Sequence, residues 1–265
     1  MTTIRAVTLD FGNTLVPVPE ASLRAVVAET AAAIATTLGP FDPDAVHLAW
    51  SQERARQFRE EVPRFREVDL DQRIARMLAR LRGMPVPADD EAWDDDAAAL
   101  LSDAGERAWA VDVYSHGFVA RLPPAPDADA LIERLAARYD LAILSNWPLA
   151  ATIDRYVDAA GWAPYLRAVV VSQRVGTIKP HPAIFAAARA ALGDPPPGGI
   201  LHVGDDWAAD VVGAKAVGWR AAYLRDRPHD SPLPGSARDD RVTPDLELRR
   251  LGDLEAGLDQ LERTA

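Results

Sequence analysis

The sequence predicts an α/β fold, a doubly wound parallel sheet with an all-α domain inserted after its first strand. Two observations carry this expectation. From residue 127 onward, short apolar runs alternate with amphipathic helical stretches across short connections, the pattern of a parallel sheet covered on both faces. Between residues 20 and 120 the apolar periodicity is helical, and no convincing strand interrupts it. Residues 1–16 and 122–265 are therefore assigned to the sheet domain and 17–121 to the helical insertion, with Leu122-Pro-Pro-Ala-Pro126 as the junction.

The elements follow in order. Ile4–Leu9 is a short buried strand ending at Asp10, and Gly12-Asn13 signals a turn. Pro17 and Pro19 break the chain. Leu23, Val26, Val27, Thr30, Ala31 and Ile34 recur at helical spacing until Gly39-Pro40 stops the helix. Asp42 or Asp44 caps a second helix, Ala45–Arg66, kinked or broken at Pro63. A third covers Asp69–Arg82, with Ile74, Met77, Leu78 and Leu81 on one face and Gly83 as its cap. Asp89–Ser102 and Glu106–Ala120 complete the insertion. Beyond the junction, helices at Asp127–Arg138, Ala150–Ala160, Pro182–Leu192 and Trp207–Val217 alternate with strands at Leu141–Leu144, Ala168–Ser172, Ile200–Val203 and Arg220–Leu224. Polar Arg225–Thr243 reads as a surface loop, followed by a strand at Leu246–Leu248 and a last helix at Asp253–Glu262.

Composition excludes several classes. With 48% apolar and 26% charged residues, the chain of 265 residues is an ordinary folded protein. The absence of cysteine removes disulfides, thiolate metal sites and a cysteine nucleophile. A net charge of −11 gives no attraction to nucleic acid or anionic lipid. No run of apolar residues is long enough to span a membrane, and the start lacks a basic segment followed by an apolar core. A cytoplasmic location is expected, as a monomer or homodimer. His47, His116, His181, His202 and His229 show no metal-ligand spacing, and none is assigned a role.

Four polar groups follow predicted strands: Asp10, Ser145, Lys179 (after a strand and a loop) and Asp205. Ligands of open α/β sheets bind beyond the carboxyl ends of the strands, so parallel neighbours would bring these residues together. Two carboxylates can hold a hard cation such as magnesium. A lysine and a hydroxyl can hold the oxygens of an anion, and one carboxylate is free to act as a nucleophile. Such a set suits phosphoryl transfer, where positioning and charge neutralisation do most of the catalysis.

The order Asp10-Phe-Gly-Asn-Thr14-Leu15, Ser145-Asn146, Lys179-Pro180 and Gly204-Asp205-Asp206-x-x-x-Asp210 resembles the haloacid dehalogenase superfamily of hydrolases. The resemblance spans the sheet domain, and the insertion lies where members with a small helical cap carry it. It implies a Rossmann-like core and a magnesium-dependent phosphohydrolase acting on a small soluble phosphorylated substrate. Asp10 would be the nucleophile, forming an aspartyl-phosphate. Asp10, the carbonyl of Gly12 and Asp205 would hold magnesium. Ser145, with Asn146, and Lys179 would grip the phosphoryl oxygens, and Lys179 would offset the charge on Asp10. Thr14 would fix the first loop, and Asp206 and Asp210 would support the metal shell or orient Lys179.

One departure matters. Phosphatases of this family usually carry an acid–base aspartate two residues after the nucleophile, where this chain has Gly12. General acid–base catalysis is typically worth about 10²–10⁴ in rate. Its loss hurts a poor alkoxide leaving group most, and acyl phosphates, anhydrides and aryl phosphates less. Asn13 cannot replace it, because its amide does not titrate. The alternatives are a metal-independent 2-haloacid dehalogenase, to which Ser145-Asn146 followed by Pro148 is similar, and a weakly active member serving as a binding protein. The phosphonate-cleaving branch relies on a cap lysine, and this insertion has none.

Plainer readings stand beside these. Asp206 could only cap the helix beginning at Trp207. Lys179 is one of two lysines, with Lys215, in an arginine-dominated chain, so a point charge rather than a fork is wanted there. Arg54, Arg56, Arg59, Arg64 and Arg66 interleave with Glu53, Glu60, Glu61 and Glu67, which favours a salt-bridged face over a substrate pocket. Trp50, Trp93, Trp109 and Tyr114 read as packing of the insertion. Trp147, directly after Ser145-Asn146, is placed to reach the site entrance.

Overall fold

A parallel sheet organises the computed structural model, which describes residues 3–88, 91, 93, 97, 100 and 102–263. Among these, six strands are ordered β3-β2-β1-β4-β5-β6: β1 (Ala6–Leu9), β2 (Asp140–Ser145), β3 (Leu166–Val171), β4 (Ile200–Gly204), β5 (Arg220–Leu224) and β6 (Leu246–Leu248). Every residue of β1 and β4 is buried, as central strands with helices on both faces require. Leu9 lies opposite Ile143 of β2 on one side and Val203 of β4 on the other. The chain leaves β1 toward β2 on one side and returns on the other as β4. The crevice beyond their carboxyl ends is therefore the topological switch point.

Between β1 and β2 lies the helical insertion: α1 (Glu20–Thr37), α2 (Pro43–Glu60), α3 (Leu70–Leu81) and α4 (Ala104–Arg121). Aspartates start three of them. Asp42 accepts from the Asp44 N–H, Asp69 from Gln72 and Asp103 from Gly105, supplying acceptors to donors that the first helical turn leaves free. The expected helix to Arg66 stops early. α2 ends at Glu60, a single 3₁₀ turn covers Val62–Arg64 around Pro63, and Phe65 turns left-handed at φ 55°. That break sends residues 65–70 back onto the sheet domain. There the Phe65 carbonyl accepts from the Ile178 N–H (3.0 Å), and the Leu70 N–H donates to the Pro148 carbonyl (2.9 Å). The helix expected over Asp89–Ser102 lies mostly outside the described residues.

The sheet domain adds α5 (Ala128–Ala136), α6 (Ala150–Ala159), α7 (Ser172–Val175), α8 (Pro182–Ala191), α9 (Gly213–Ala216) and α10 (Leu254–Arg263). Instead of one helix over Trp207–Val217, a π-helical turn at Trp207–Val212 precedes α9, and such turns cluster at functional sites. One face of the sheet shares its core with the insertion. Phe118 of α4 meets Trp147 and Phe11 at ring-centroid distances of 5.1 and 6.2 Å. The other face packs Phe185 edge-on against Trp219 at 5.3 Å. Residues 225–243 are not a plain surface loop. They fold back over the carboxyl ends of the strands, where Ser231 hydrogen-bonds Asn13 and Arg227 pairs with Asp205. Among the described residues no helix is long and apolar enough to cross a membrane.

Candidate active site

The site grows from the ends of three adjacent strands. Asp10, one residue past β1, is held by its N–H donating to the Val203 carbonyl at 2.9 Å. Lys179 reaches it from the loop before α8. Its Nζ donates to Asp10 Oδ1 (2.7 Å), Asp210 Oδ1 (2.7 Å) and the Leu144 carbonyl (2.9 Å), so all three protons are committed. The Asn146 side chain clamps the Lys179 backbone, accepting from its N–H at 2.6 Å and donating to its carbonyl at 3.0 Å. Asn146 thus holds the backbone of Lys179 and also lines the cavity above Asp10. Ser145 is 1% exposed, and its hydroxyl has no hydrogen-bond partner among the described residues. A buried orphan hydroxyl at the end of β2 is a place for a ligand oxygen.

Asp205, just past β4, stands close to the first loop, with Asn13 Nδ2 and Thr14 Oγ1 each 3.5 Å from its carboxylate. Arg227 Nη1 donates to its Oδ2 at 3.0 Å. Asp206 caps the π-helical turn by accepting from the Ala209 N–H at 2.8 Å, and its carboxylate also holds Ser236. Asp210 accepts from Lys179, from the Asp206 N–H (2.8 Å) and from His202 Nε2 (3.0 Å). Gly204 is obligatory here, because a Cβ would lie 2.1 Å from Asp210 Oδ2. Oxygens of Asp10, Asp205 and Asp210 all lie within 4.8 Å of one another.

The electrostatics follow from this crowding. Burial pushes the Asp10 carboxyl up, and Lys179 opposes it. Burial would lower the Lys179 ammonium, but Asp10 and Asp210 outweigh it and hold it above the usual lysine range. Asp210 is buried too, yet Lys179 and His202 keep its carboxyl well below the usual range. Asp205 goes the other way. Burial first, then the charges of Asp10 and Asp210, drive it well above an ordinary aspartate, and Arg227 offsets only part of this. The three carboxylates hold more negative charge than Lys179 neutralises, which is the electrostatic demand a divalent cation meets.

Gly12 faces a closed wall. A Cβ there would meet Leu233 Cδ1 at 2.7 Å and Trp147 Cζ3 at 3.0 Å. Trp147 is 2% exposed and lines the site rather than guarding its entrance. Above Asp10 opens a cavity of about 470 Å³, roofed by the insertion. Part of the expected salt-bridged face is present: Arg56 pairs with Glu60 and Arg66 with Glu61, both at 2.6 Å. Arg54 departs from it and lines the cavity, as do Trp50 and Tyr114, which sequence reasoning assigned to packing alone. Glu67 also leaves that face and hydrogen-bonds Ser172 of α7.

Sequence reasoning missed His202, Thr8 and Arg227. His202 had a signal: a lone imidazole in the apolar run Ile200–Val203 must find partners when buried. It finds Thr8 Oγ1 at 2.8 Å and Asp210. Arg227 and Leu233 had none, because only the fold-back of residues 225–243 brings them to the strand ends.

Residues 4–218 match the haloacid dehalogenase-like hydrolase family. Among curated proteins, a phosphoserine phosphatase of Thermus thermophilus is 34% identical over 135 residues, 51% of this chain and 49% of that protein. A pyrimidine 5'-nucleotidase of Escherichia coli is 28% identical over 109 residues, 40% of this chain and 48% of that protein. The chain spans about half the length of these relatives. Among solved structures, a 2-haloacid dehalogenase from Pseudomonas syringae pv. Tomato superposes with a TM-score of 0.70 at 24% identity, covering 97% of this chain and 99% of that one. That likeness is one of fold.

Proposed function

Because the chain belongs to the haloacid dehalogenase-like hydrolase family and is a hydrolase, we propose that it is a magnesium-dependent phosphohydrolase acting through an aspartyl-phosphate on Asp10. The observation that carries this reading is the clustering of Asp10, Asp205 and Asp210, whose oxygens lie within 4.8 Å of one another and whose charge Lys179 and Arg227 offset only in part. Asp10, Asp205 and the Gly12 carbonyl would hold the ion, which supplies charge neutralisation to the phosphoryl oxygens.

The chain's own residues do the rest. Lys179 pins Asp10 Oδ1, leaving the other carboxylate oxygen to attack phosphorus. The bond from phosphorus to the leaving group breaks, and the leaving group departs with the electron pair. Ser145 Oγ, which has no partner among the described residues, receives a phosphoryl oxygen, and Lys179 would receive another only by giving up one of its three present acceptors. Water then attacks the aspartyl-phosphate, releasing inorganic phosphate and restoring the Asp10 carboxylate. Asp10 and Asp210 keep Lys179 charged, and His202 holds Asp210 in place. The insertion, residues 17–121, acts as a cap that excludes water and selects the substrate. The wall of Trp147 and Leu233 crowds the place a side chain at position 12 would take, and without an acid there substrates are those whose leaving group needs no proton.

The same wall favours a second reading, metal-independent cleavage of a carbon–halogen bond by Asp10. Phosphate release from acetyl phosphate, with magnesium and with chelator, separates the two. Magnesium-dependent release, lost by on the order of 10⁴-fold in Asp10→Asn, is the expected result. No release from acetyl phosphate, with chelator-resistant turnover of a 2-halo acid, would replace the phosphohydrolase by the dehalogenase.

A further inference from the structure

The roof of the cavity carries cations that no carboxylate answers. Arg73 of α3 is 5% exposed, yet its hydrogen bonds go only to neutral oxygens, Gln57 Oε1 at 2.9 Å and the Val68 carbonyl at 3.3 Å. Its guanidinium lies 5.7 Å from the centre of the Trp50 ring. Arg54, one turn away on α2 from Phe58, covers that ring at 4.8 Å. Among the described residues neither arginine forms an ion pair, although Arg56, Arg66 and Arg80 nearby all find glutamates. The two carboxyls that influence Arg73 are occupied elsewhere. Glu67 is hydrogen-bonded to Ser172, and Asp69 accepts from Gln173 Nε2 at 2.8 Å and from the Gln72 N–H at 3.1 Å.

Tyr114 of α4 completes the group. It is 5% exposed, stacks on Trp50 with 6.2 Å between centroids, and its hydroxyl has no hydrogen-bond partner among the described residues. The charge of Arg54 acts on both Arg73 and Tyr114, so the three share one region, and all three line the cavity above Asp10. Burial pushes the Tyr114 phenol up to about 12, so it remains an O–H donor at neutral pH. Arg73 is the buried cation of the group and Arg54 the exposed one, and a buried cation without a charged partner is costly unless an anion arrives to pair with it. The cavity that holds both this group and Asp10 is also lined by the apolar Val62, Phe65 and Ile178.

The geometry points to a substrate with two ends: a phosphoryl group at Asp10 and a second anionic group, carboxylate or phosphate, held by Arg54, Arg73 and Tyr114 across an apolar body. The inference rests on the phosphohydrolase reading for the first end only.

The test compares phenyl phosphate with its 4-carboxymethyl and 4-phosphonomethyl derivatives, measuring KM and kcat with magnesium. The expected result is a KM lower by about 10-fold or more for at least one anionic tail, the worth of one charge-assisted hydrogen bond. Whichever tail gains more identifies the anion. In Arg54→Gln and Arg73→Gln this KM ratio collapses toward one while kcat changes little. Arg59→Gln, exposed on the same helix and outside the cavity, keeps the ratio. Equal KM for the three compounds in the unaltered protein would overturn the inference. Binding of phenylacetate and benzylphosphonate, followed by tryptophan fluorescence, tests the roof without turnover. If no phosphate ester is hydrolysed, the phosphohydrolase reading fails alone. Roof binding of either ligand, weakened about 10-fold by Arg54→Gln, would still uphold the anion site, and absence of binding would sink it. Should Arg73→Gln not fold, Arg73→Lys keeps the charge but not the fork and is expected to weaken the ratio without removing it.

Discussion

Gly12 and Lys179 show how much a single position decides. Introducing the missing acid as Gly12→Asp drives a Cβ toward Leu233 and Trp147, a clash at 2.7 and 3.0 Å. Overpacking of this kind costs about 1–3 kcal/mol, so the variant is expected to melt earlier and gain no activity on sugar phosphates. The double variant Gly12→Asp/Leu233→Ala relieves the closer contact and is expected to recover melting temperature and gain sugar phosphatase activity. Lys179 answers two buried carboxylates at once. Breaking a buried ion pair by removing one partner costs about 3–5 kcal/mol. For Lys179→Met thermal melting is expected to show a fall in Tm on the order of 10 °C. His202 adds a pH dependence. Burial, with Lys179 beside it, lowers its pKa below the ordinary 6.5. The unfolded chain then takes up a proton the native state refuses, so its contribution to stability is intact above about pH 6.5 and declines as pH falls through the window below. A shallower slope of Tm against pH between 7 and 5 is expected for His202→Gln, and an unchanged slope would contradict this assignment.

At the scale of elements, the positions of Asp10, Ser145 and Asp205 were legible in the sequence because they depend on strand ends alone. Once β1, β2 and β4 are parallel neighbours, residues just past each must meet. The helical insertion was legible for the same local reason, its periodicity. What was not legible depends on contacts between distant segments. Helix α2 ends at Glu60, close to the break expected at Pro63, but the recruitment of residues 65–70 to the sheet domain is invisible in its own pattern. Residues 225–243 are polar and rich in proline, which describes a loop but not where it lies. Their fold-back places Arg227 on Asp205, where a cation would also bind. Arg227→Ala is therefore expected to tighten magnesium binding several-fold, read as the magnesium concentration that half-saturates the rise in Tm. Weaker binding in that variant would mean that Arg227 supports the ion rather than competes with it.

Taken whole, the molecule joins the insertion and the sheet domain through one apolar cluster. Val26, Trp50, Ile74 and Phe118 of the insertion belong to the same buried core as Val7, Leu9 and Ile143 of the sheet. Calorimetry is expected to show a single cooperative transition, whereas an independently folding insertion would give two. Closure of the cap over the site is then held by this shared core, with Phe118 against Trp147 and Phe11, as well as by the contacts at residues 65–70. In the proposed reading, the cavity that this closure encloses would hold a nucleophile without a neighbouring acid, served by substrates whose leaving group needs none. The measurement that tests this most directly is kcat/KM, with magnesium, across phosphate esters and anhydrides graded by leaving-group pKa, from acetyl phosphate through aryl phosphates to a sugar phosphate. A steep fall in rate as leaving-group pKa rises is the result expected of Asp10 acting without an acid at position 12. A flat series, with the sugar phosphate as fast as acetyl phosphate, would contradict it and require another group in the cavity to supply the proton.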